Sequence, residues 1–456
     1  MIFPIGSKHN WAKRIWPKKS PAWILTRKPW RDFAKESSGL SRDAWRNCTV
    51  LILEKYRDLV PPNSLDEIYL LGKRLEGKSI LHVNATAVGG GVAEILSRLV
   101  PLLVELGMTA RWDVIKGGED FYSVTKKFHN ALHGGAEEVT PKDFAVYTDT
   151  LDMNLTQMTL DQDIIFIHDP QPVALVKKRR QTKNTWIWRC HIDLSHPNLN
   201  VWDFLKPYVE QYDASVASAP SFAQKLSIPQ VLIAPSIDPL SEKNRDMTAA
   251  EINSVLEKLN IPTDKPLVTQ VSRFDRLKDP LGVIEAFEKI KPYVDARLLL
   301  AGGTADDDPE GAQVLSEVRE RAGHDSDILV MCLPPTSHLE INAIQRVSTV
   351  VIQKSLREGF GLTVTEALWK GKPVIAGAAG GIQLQITHKY SGILTHSVEG
   401  TAYWLKQLLS EPAYAKKMGE NGREHVRHNF LITRQLRDYM LLFLAVQQPG
   451  QEMIRL

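Results

Sequence analysis

The stretch "LREGFGLTVTEALWKGKPVIAGAAGGI" sets Glu358 before a Gly-Phe-Gly turn and Glu366 two turns along a helix predicted to start near Leu362, with seven residues between them. A carboxylate accepts two hydroxyl hydrogen bonds at once, which suits a vicinal diol. Gly359 and Gly361 let backbone N–H groups point at a ligand. "VSRFDRLKDP" adds Arg273 and Lys278 at the end of an apolar run. Arg offers a planar fork and Lys a point charge, the pair a diphosphate requires. In "HVNATAVGGGVAEIL", Gly89, Gly90 and Gly91 stand between a strand and a helix, where backbone and helix N-terminus can approach a phosphate. "IFIHDPQP" and "RCHIDLS" place His168–Asp169 and His191–Asp193 at two further strand ends. Two carboxylates, two cations and a glycine loop describe a nucleotide sugar: diol, diphosphate, diol.

Each motif also has a plainer meaning: a tight turn, a solvated basic loop, core histidines. Asp113, 22 residues after Gly91, lies near the acidic position of a dinucleotide fingerprint, so a nicotinamide enzyme stays open, although Glu94 stands where that fingerprint wants a small residue. His191, Asp193 and His196 match no common metal spacing, and no metal is expected. Cys48, Cys190 and Cys332 are scattered, without a zinc or disulfide pattern, which points to reduced cytoplasm. A net charge of +3 does not suggest nucleic-acid binding. No run approaches the ~18 apolar residues of a membrane span, and the first residues lack a secretory signal's apolar core.

These residues need a scaffold that brings them together. With 456 residues, 43% hydrophobic and 24% charged, the chain predicts a folded protein of two or three domains. Residues 1–46 form a basic arm with five of the eleven tryptophans, which either packs on the body or meets a membrane surface. From Ser79, "SILHVNA", "ARWDVIK", "DIIFIHD", "TWIWRCHID", "ASVASA" and "QVLIAPS" read as buried strands separated by turn or helical segments. After the polar "EKNRDMTAAEINSVLEKLNIPTDKP" the pattern restarts with "LVTQVSRF", "ARLLLAGG", "DILVMCLP", "TVVIQKS" and "PVIAGAA". Strands alternating with helices mean α/β architecture with parallel sheets. The predicted units are residues 47–250, 251–430 and a C-terminal helix, 431–456, packing back on the first. Ligands of such sheets sit at the carboxyl ends of strands.

The Glu–seven residues–Glu motif of Glu358 and Glu366, with Arg273 and Lys278, resembles the retaining glycosyltransferases of family 4, which have the GT-B fold of two Rossmann-like domains facing a cleft. Within that family the chain is similar to trehalose synthases, through "LHVNATAVGGGVAEIL", "FHNALHGG", "HDPQP", "WRCHIDLS", "PSIDPLSEKN", "QVSRF" and "REGFGLTVTEALWKGKPVI". The likeness runs from about residue 60 to 430 and leaves out the arm. It implies glucose transfer with retention from a nucleoside diphosphate glucose to free glucose, with no tightly bound cofactor. Gly90 and Gly91 would approach the phosphates, and Arg273 and Lys278 would hold the diphosphate. Glu358 would hold the transferred glucose, helped by N–H groups of Gly359, Phe360, Gly361 and Leu362. Glu366 would hold the ribose, His191 would sit near the glucose 6-hydroxyl, and Asp169 would contact the acceptor. A trehalose phosphorylase, a lipid or other glycosyltransferase and a sugar-nucleotide sensor are the competing readings. The preferred base, membrane contact through the arm and a homodimer stay open.

Overall fold

The computed structural model describes residues 52–87, 91–303 and 309–447. The arm of residues 1–46, and with it the choice between packing and membrane contact, lies outside them, as do Gly89 and Gly90.

Two six-stranded, wholly parallel sheets make up the described chain. The first holds β1 (Ser79–Asn84), β2 (Thr109–Val114), β3 (Ile164–His168), β4 (Thr185–Arg189), β5 (Ala214–Ala217) and β6 (Gln230–Leu232). The second holds β7 (Leu267–Val271), β8 (Arg297–Gly302), β9 (Ile328–Cys332), β10 (Val350–Gln353), β11 (Val374–Gly377) and β12 (Ile393–Thr395). Eleven of these strands lie in the runs predicted above; β12, three residues long, was too short to stand out in "GILTH". The central strands are buried throughout, as an apolar run covered on both faces should be. The expectation of burial fails at the edges: β2, β6 and β9 are partly exposed because each has a neighbour on one side only.

Strand order separates the two halves. The second sheet runs β12-β11-β10-β7-β8-β9, the dinucleotide-fold order, whereas the first runs β2-β1-β3-β4-β5-β6. In both, the order reverses beside the first strand of the set. That leaves a crevice at the carboxyl ends of β1 and β3 in one sheet, and of β7 and β10 in the other.

The helices that matter here are α1 (Ser64–Leu75), α2 (Gly91–Glu105), α3 (Glu119–Leu132), α4 (Leu362–Trp369) and α5 (Ile432–Val446). The chain passes between the halves twice, and the passages bond to each other: Ile237 N–H donates to the Phe430 carbonyl and Ile432 N–H to the Ile237 carbonyl, both at 2.9 Å. Ser236 Oγ donates to Gln435 Oε1 at 2.5 Å. Beyond this strap, α5 buries Leu436, Tyr439, Met440 and Phe443 in the cluster that holds Leu65, Ile68 and Leu71 of α1 and Leu99 and Leu103 of α2. Val364, Ala367 and Leu368 of α4 join the same cluster, so one apolar core continues from half to half.

Phe443 is wholly buried in that core. Phe443→Ala should cost about 3–5 kcal/mol in denaturant unfolding, through lost transfer energy and the cavity left behind. A loss below about 1 kcal/mol would show that α5 is not part of the cooperative core.

Candidate active site

The loops after β7 and β10 are built as one unit. Asp275 Oδ1 accepts the Leu277 N–H at 2.7 Å and shapes the short turn Arg276–Lys278. Gln270 Nε2 donates to the Lys278 carbonyl at 2.8 Å. The Leu356 N–H donates to the Leu277 carbonyl at 2.8 Å, tying one loop to the other. Lys278 Nζ therefore meets Glu358 Oε2 at 2.7 Å, and Ser355 Oγ donates to the same oxygen at 3.2 Å. Arg273 is half exposed and among the described residues reaches only Asp275, at 3.4 Å, which leaves most of its donors open there.

The turn Glu358–Gly361 lies against the other half of the molecule. A methyl group on Gly359 would collide with the His191 carbonyl oxygen, and one on Gly380 with the Glu358 carbonyl oxygen. Only glycine permits both approaches, which accounts for the glycine run after the helix. The Phe360 side chain is buried and packs edge-on against Phe430 at 5.5 Å, so only its backbone can serve a ligand in the cleft. Gly361, at φ +83°, is the residue that precedes and caps α4. A Cβ on Gly91, the first residue of α2, would come within 2.7 Å of Leu362. The N-termini of α2 and α4 thus meet across the cleft. Each brings unpaired N–H groups and the positive end of a helix dipole, a setting for an anion. Of the predicted glycine pair, Gly91 is placed and Gly90 lies outside the described residues.

The helix starts at Leu362 as expected, but Glu366 lies a single turn into α4, not two, because a turn takes about 3.6 residues and Glu366 is four residues on. It is buried; Oε1 is 3.6 Å from Lys243 Nζ, while Oε2 has no hydrogen-bond partner among the described residues. Lys243 also reaches Glu94 of α2, at 2.6 Å. Burial opposes its charge, but Glu366 and Glu94 together raise the ammonium to about 12. Glu94, Arg98, Asp238, Lys243, His338 and Glu366 line a cavity of about 140 Å³. Lys243 was missed because it sits in the polar stretch read as a domain boundary; next to it, Asn244 Oδ1 accepts from Lys370 Nζ at 3.0 Å.

From the first sheet, Asp169 and His191 arrive together. Asp169 adopts φ +67°, and its Oδ1 accepts the His191 N–H at 2.7 Å. Its own N–H donates to the Arg189 carbonyl at 2.7 Å. Burial raises the Asp169 carboxyl to about 7, against the opposing effects of the His191 N–H and Arg189. Asp193 caps its own loop, accepting the Ser195 N–H at 2.9 Å. His191 Nε2 lies 3.2 Å from His168 Nδ1.

Two histidines at the end of α3, His129 within it and His133 just after, carry no role in the sequence reading. His129 and His133 have ring centroids 4.5 Å apart. Burial depresses both; His133 also feels Asp193, Glu358 and Lys278, and His129 feels Arg273. Their four-residue spacing in "FHNALHGG" was the available signal, since it puts both on one helix face. Asp113, near the carboxyl end of the edge strand β2, pairs with Arg111 at 3.2 Å. Among the described residues no group of three His, Cys, Asp or Glu could hold a metal ion.

Asp169 yields a test by subtraction. A carboxyl whose folded value lies above its unfolded value binds extra protons in the folded state, so its stabilisation is full below the unfolded value and lost as pH rises through the folded one. Between about pH 4 and 7, stability of the wild type relative to Asp169→Asn should fall as pH rises and then level off. Denaturant midpoints of the two proteins across that range check this; a flat difference would mean the carboxyl titrates normally.

Comparison with known proteins bears on the whole arrangement. Residues 82–224 match the family model "Trehalose synthase, N-terminal domain", and residues 251–425 match "Glycosyl transferases group 1". The trehalose synthase of Thermococcus litoralis is 43% identical over 396 residues, covering 85% of this chain and 95% of that one. A trehalose phosphorylase of Pleurotus pulmonarius is 28% identical over 82% of this chain and 58% of its own. The crystal structure of an α,α-trehalose-phosphate synthase from Burkholderia vietnamiensis superimposes with a TM-score of 0.66 at 15% identity, over 81% of this chain and 98% of that one, a likeness of fold alone. Sequence family and GT-B architecture agree, and the chain belongs to the trehalose synthase family of glycosyltransferases.

Proposed function

We infer that the protein transfers glucose, with retention, from a nucleoside diphosphate glucose to free glucose, forming α,α-trehalose. The observation that carries this reading is the buried Oε2 of Glu366 beside the cavity, which has no partner among the described residues. A carboxyl oxygen excluded from water calls for a hydrogen-bond partner, and a ribose hydroxyl is the donor that a nucleotide supplies. Family membership supports the same reaction class.

In this reading the diphosphate lies between the N-termini of α2 and α4, approached by Gly91 and, from outside the described residues, Gly90. Arg273 and Lys278 hold its oxygens and stabilise the charge that grows as it departs. Glu358 takes the hydroxyls of the transferred glucose, with the N–H groups of Gly359 to Leu362 beside it. Asp169 and His191, across the cleft, receive the acceptor and the glucose 6-hydroxyl. Transfer takes place on one face: the diphosphate leaves, the sugar gains oxocarbenium character, and the acceptor hydroxyl enters while the leaving oxygen takes its proton. The protein contributes positioning and electrostatics. The paired crossings at Ile237 and Ile432 are the natural hinge for opening such a cleft.

The likeness to a phosphorylase favours one competitor, in which phosphate replaces the nucleotide. Against it stands Glu366, which would then have no ribose to hold. Proton NMR of the product decides. Donor plus glucose should give α,α-trehalose and nucleoside diphosphate, and a β-linked product would sink the retaining mechanism. Faster breakdown of trehalose by phosphate than nucleotide-dependent transfer would hand the reaction to the phosphorylase.

Mutants separate the roles. Arg273→Ala should lower turnover on the order of a hundredfold, because its contact strengthens with leaving-group charge. Calorimetry with free nucleoside diphosphate should show weakened binding in Glu366→Ala. Glu358→Ala should keep or tighten that binding, since the loss frees Lys278 from its 2.7 Å partner. Equal losses in the two glutamate variants would refute the division of labour.

A further inference from the structure

Three imidazoles form a chain from the interior of the first sheet to the cleft. His82 lies in β1, His168 ends β3 and His191 follows β4, and these strands are neighbours. His82 Nδ1 is 3.0 Å from His168 Nε2, and His168 Nδ1 is 3.2 Å from His191 Nε2. His82 and His168 are buried, at 0% and 1% exposure, whereas His191 is partly open. The inner end is closed: His82 Nε2 is buried with no hydrogen-bond partner among the described residues. At the outer end, His191 Nδ1 has no protein partner among the described residues.

Burial keeps all three rings well below the usual histidine range, and the buried guanidinium of Arg189 further disfavours charging His168 and His191. Three neutral rings carry one N–H each, so a fully bonded chain has two arrangements. In the first, every proton is on Nδ1: His82 donates to His168, His168 donates to His191, and His191 turns an N–H outward. In the second, every proton is on Nε2, the donations run inward, and His82 is left with a buried N–H that has no acceptor. Proteins rarely bury an orphaned N–H, and they tolerate an acceptor without a donor more readily. The first arrangement is therefore favoured. Proton conduction along the chain is closed too, because a proton passed outward from His82 would have to be replaced through the unpartnered Nε2.

We propose that His82 and His168 are positioning residues that hold His191 as its Nδ1–H tautomer, so that it meets the sugars of the cleft as a hydrogen-bond donor and not as a base. The donor role rests on the sugar-transfer reading above, but the tautomer does not. Both fit a reaction in which the departing diphosphate takes the acceptor's proton.

The decisive measurement is ¹⁵N NMR of the full-length protein with labelled histidines and no substrate, the His191 signals being assigned by their absence in His191→Ala. A protonated Nδ1 and bare Nε2 at neutral pH is the expected result. A protonated Nε2, or a doubly protonated ring, overturns the proposal whatever reaction the enzyme catalyses. A second arm uses His168→Phe, which removes the ring that donates to His191 Nε2, and His168→Asn, which puts an amide N–H near the place of its Nδ1. His168→Phe should mix the His191 tautomers and lower kcat roughly tenfold, the factor one neutral hydrogen bond carries, with KM little changed. His168→Asn should restore both. A single Nδ1–H tautomer in His168→Phe, or no rescue by His168→Asn, counts against the chain. If His168→Phe does not fold, the wild-type spectrum still decides.

Discussion

The close approach of the Glu358–Gly361 turn to the strand ends of the first sheet is the constraint on which the rest depends. The Gly359 backbone lies so near the His191 carbonyl that no side chain fits between them, and Gly380 supports the turn from behind under the same limit. This contact sets the Lys278–Glu358 pair opposite Asp169 and His191 and brings the starts of α2 and α4 together. In the reading proposed above the halves part to admit ligand, and the hydrogen-bonded crossings at Ile237, Phe430 and Ile432 are where they would turn.

The two walls of the cleft differ electrostatically. The second half brings Arg273, Lys278 and Glu358, of which Lys278 and Glu358 pair with each other. From the first come depressed histidines and a carboxyl raised by burial, groups that stay neutral at lower cost. A wall of fixed charge facing a wall of neutral hydrogen-bonding groups suits a reaction in which negative charge grows on one partner only. Lys243 is the exception, because it joins Glu94 of one half to Glu366 of the other. Its charge balances carboxylates that would otherwise repel across the cavity.

Membership of the trehalose synthase family and the GT-B fold rest on different evidence. The family rests on sequence identity along most of the chain, whereas the likeness to trehalose-phosphate synthase is one of backbone alone. The strand orders explain how so remote a protein can share the cleft. Both sheets reverse order beside their first strand, so crevices form there whatever side chains line them. Fold places the site, and individual residues decide what it does.

Much of this was legible in the sequence, because local composition is enough to mark a buried parallel strand or a glycine turn. Eleven of twelve strands, the loop positions of Arg273, Lys278 and Glu358, and the strand-end positions of Asp169 and His191 followed from apolar runs and the residues that end them. Only the tertiary structure decided what depends on pairs distant in the chain. The Lys278–Glu358 bond spans 80 residues and the Lys243–Glu94 bond 149, and no local pattern registers either. Strand order is equally silent in the sequence, since periodicity records burial and not which neighbour provides it. The linking of His82, His168 and His191 shows the same division: each could be read as a core histidine in its own strand, and only the order β1-β3-β4 made them a chain.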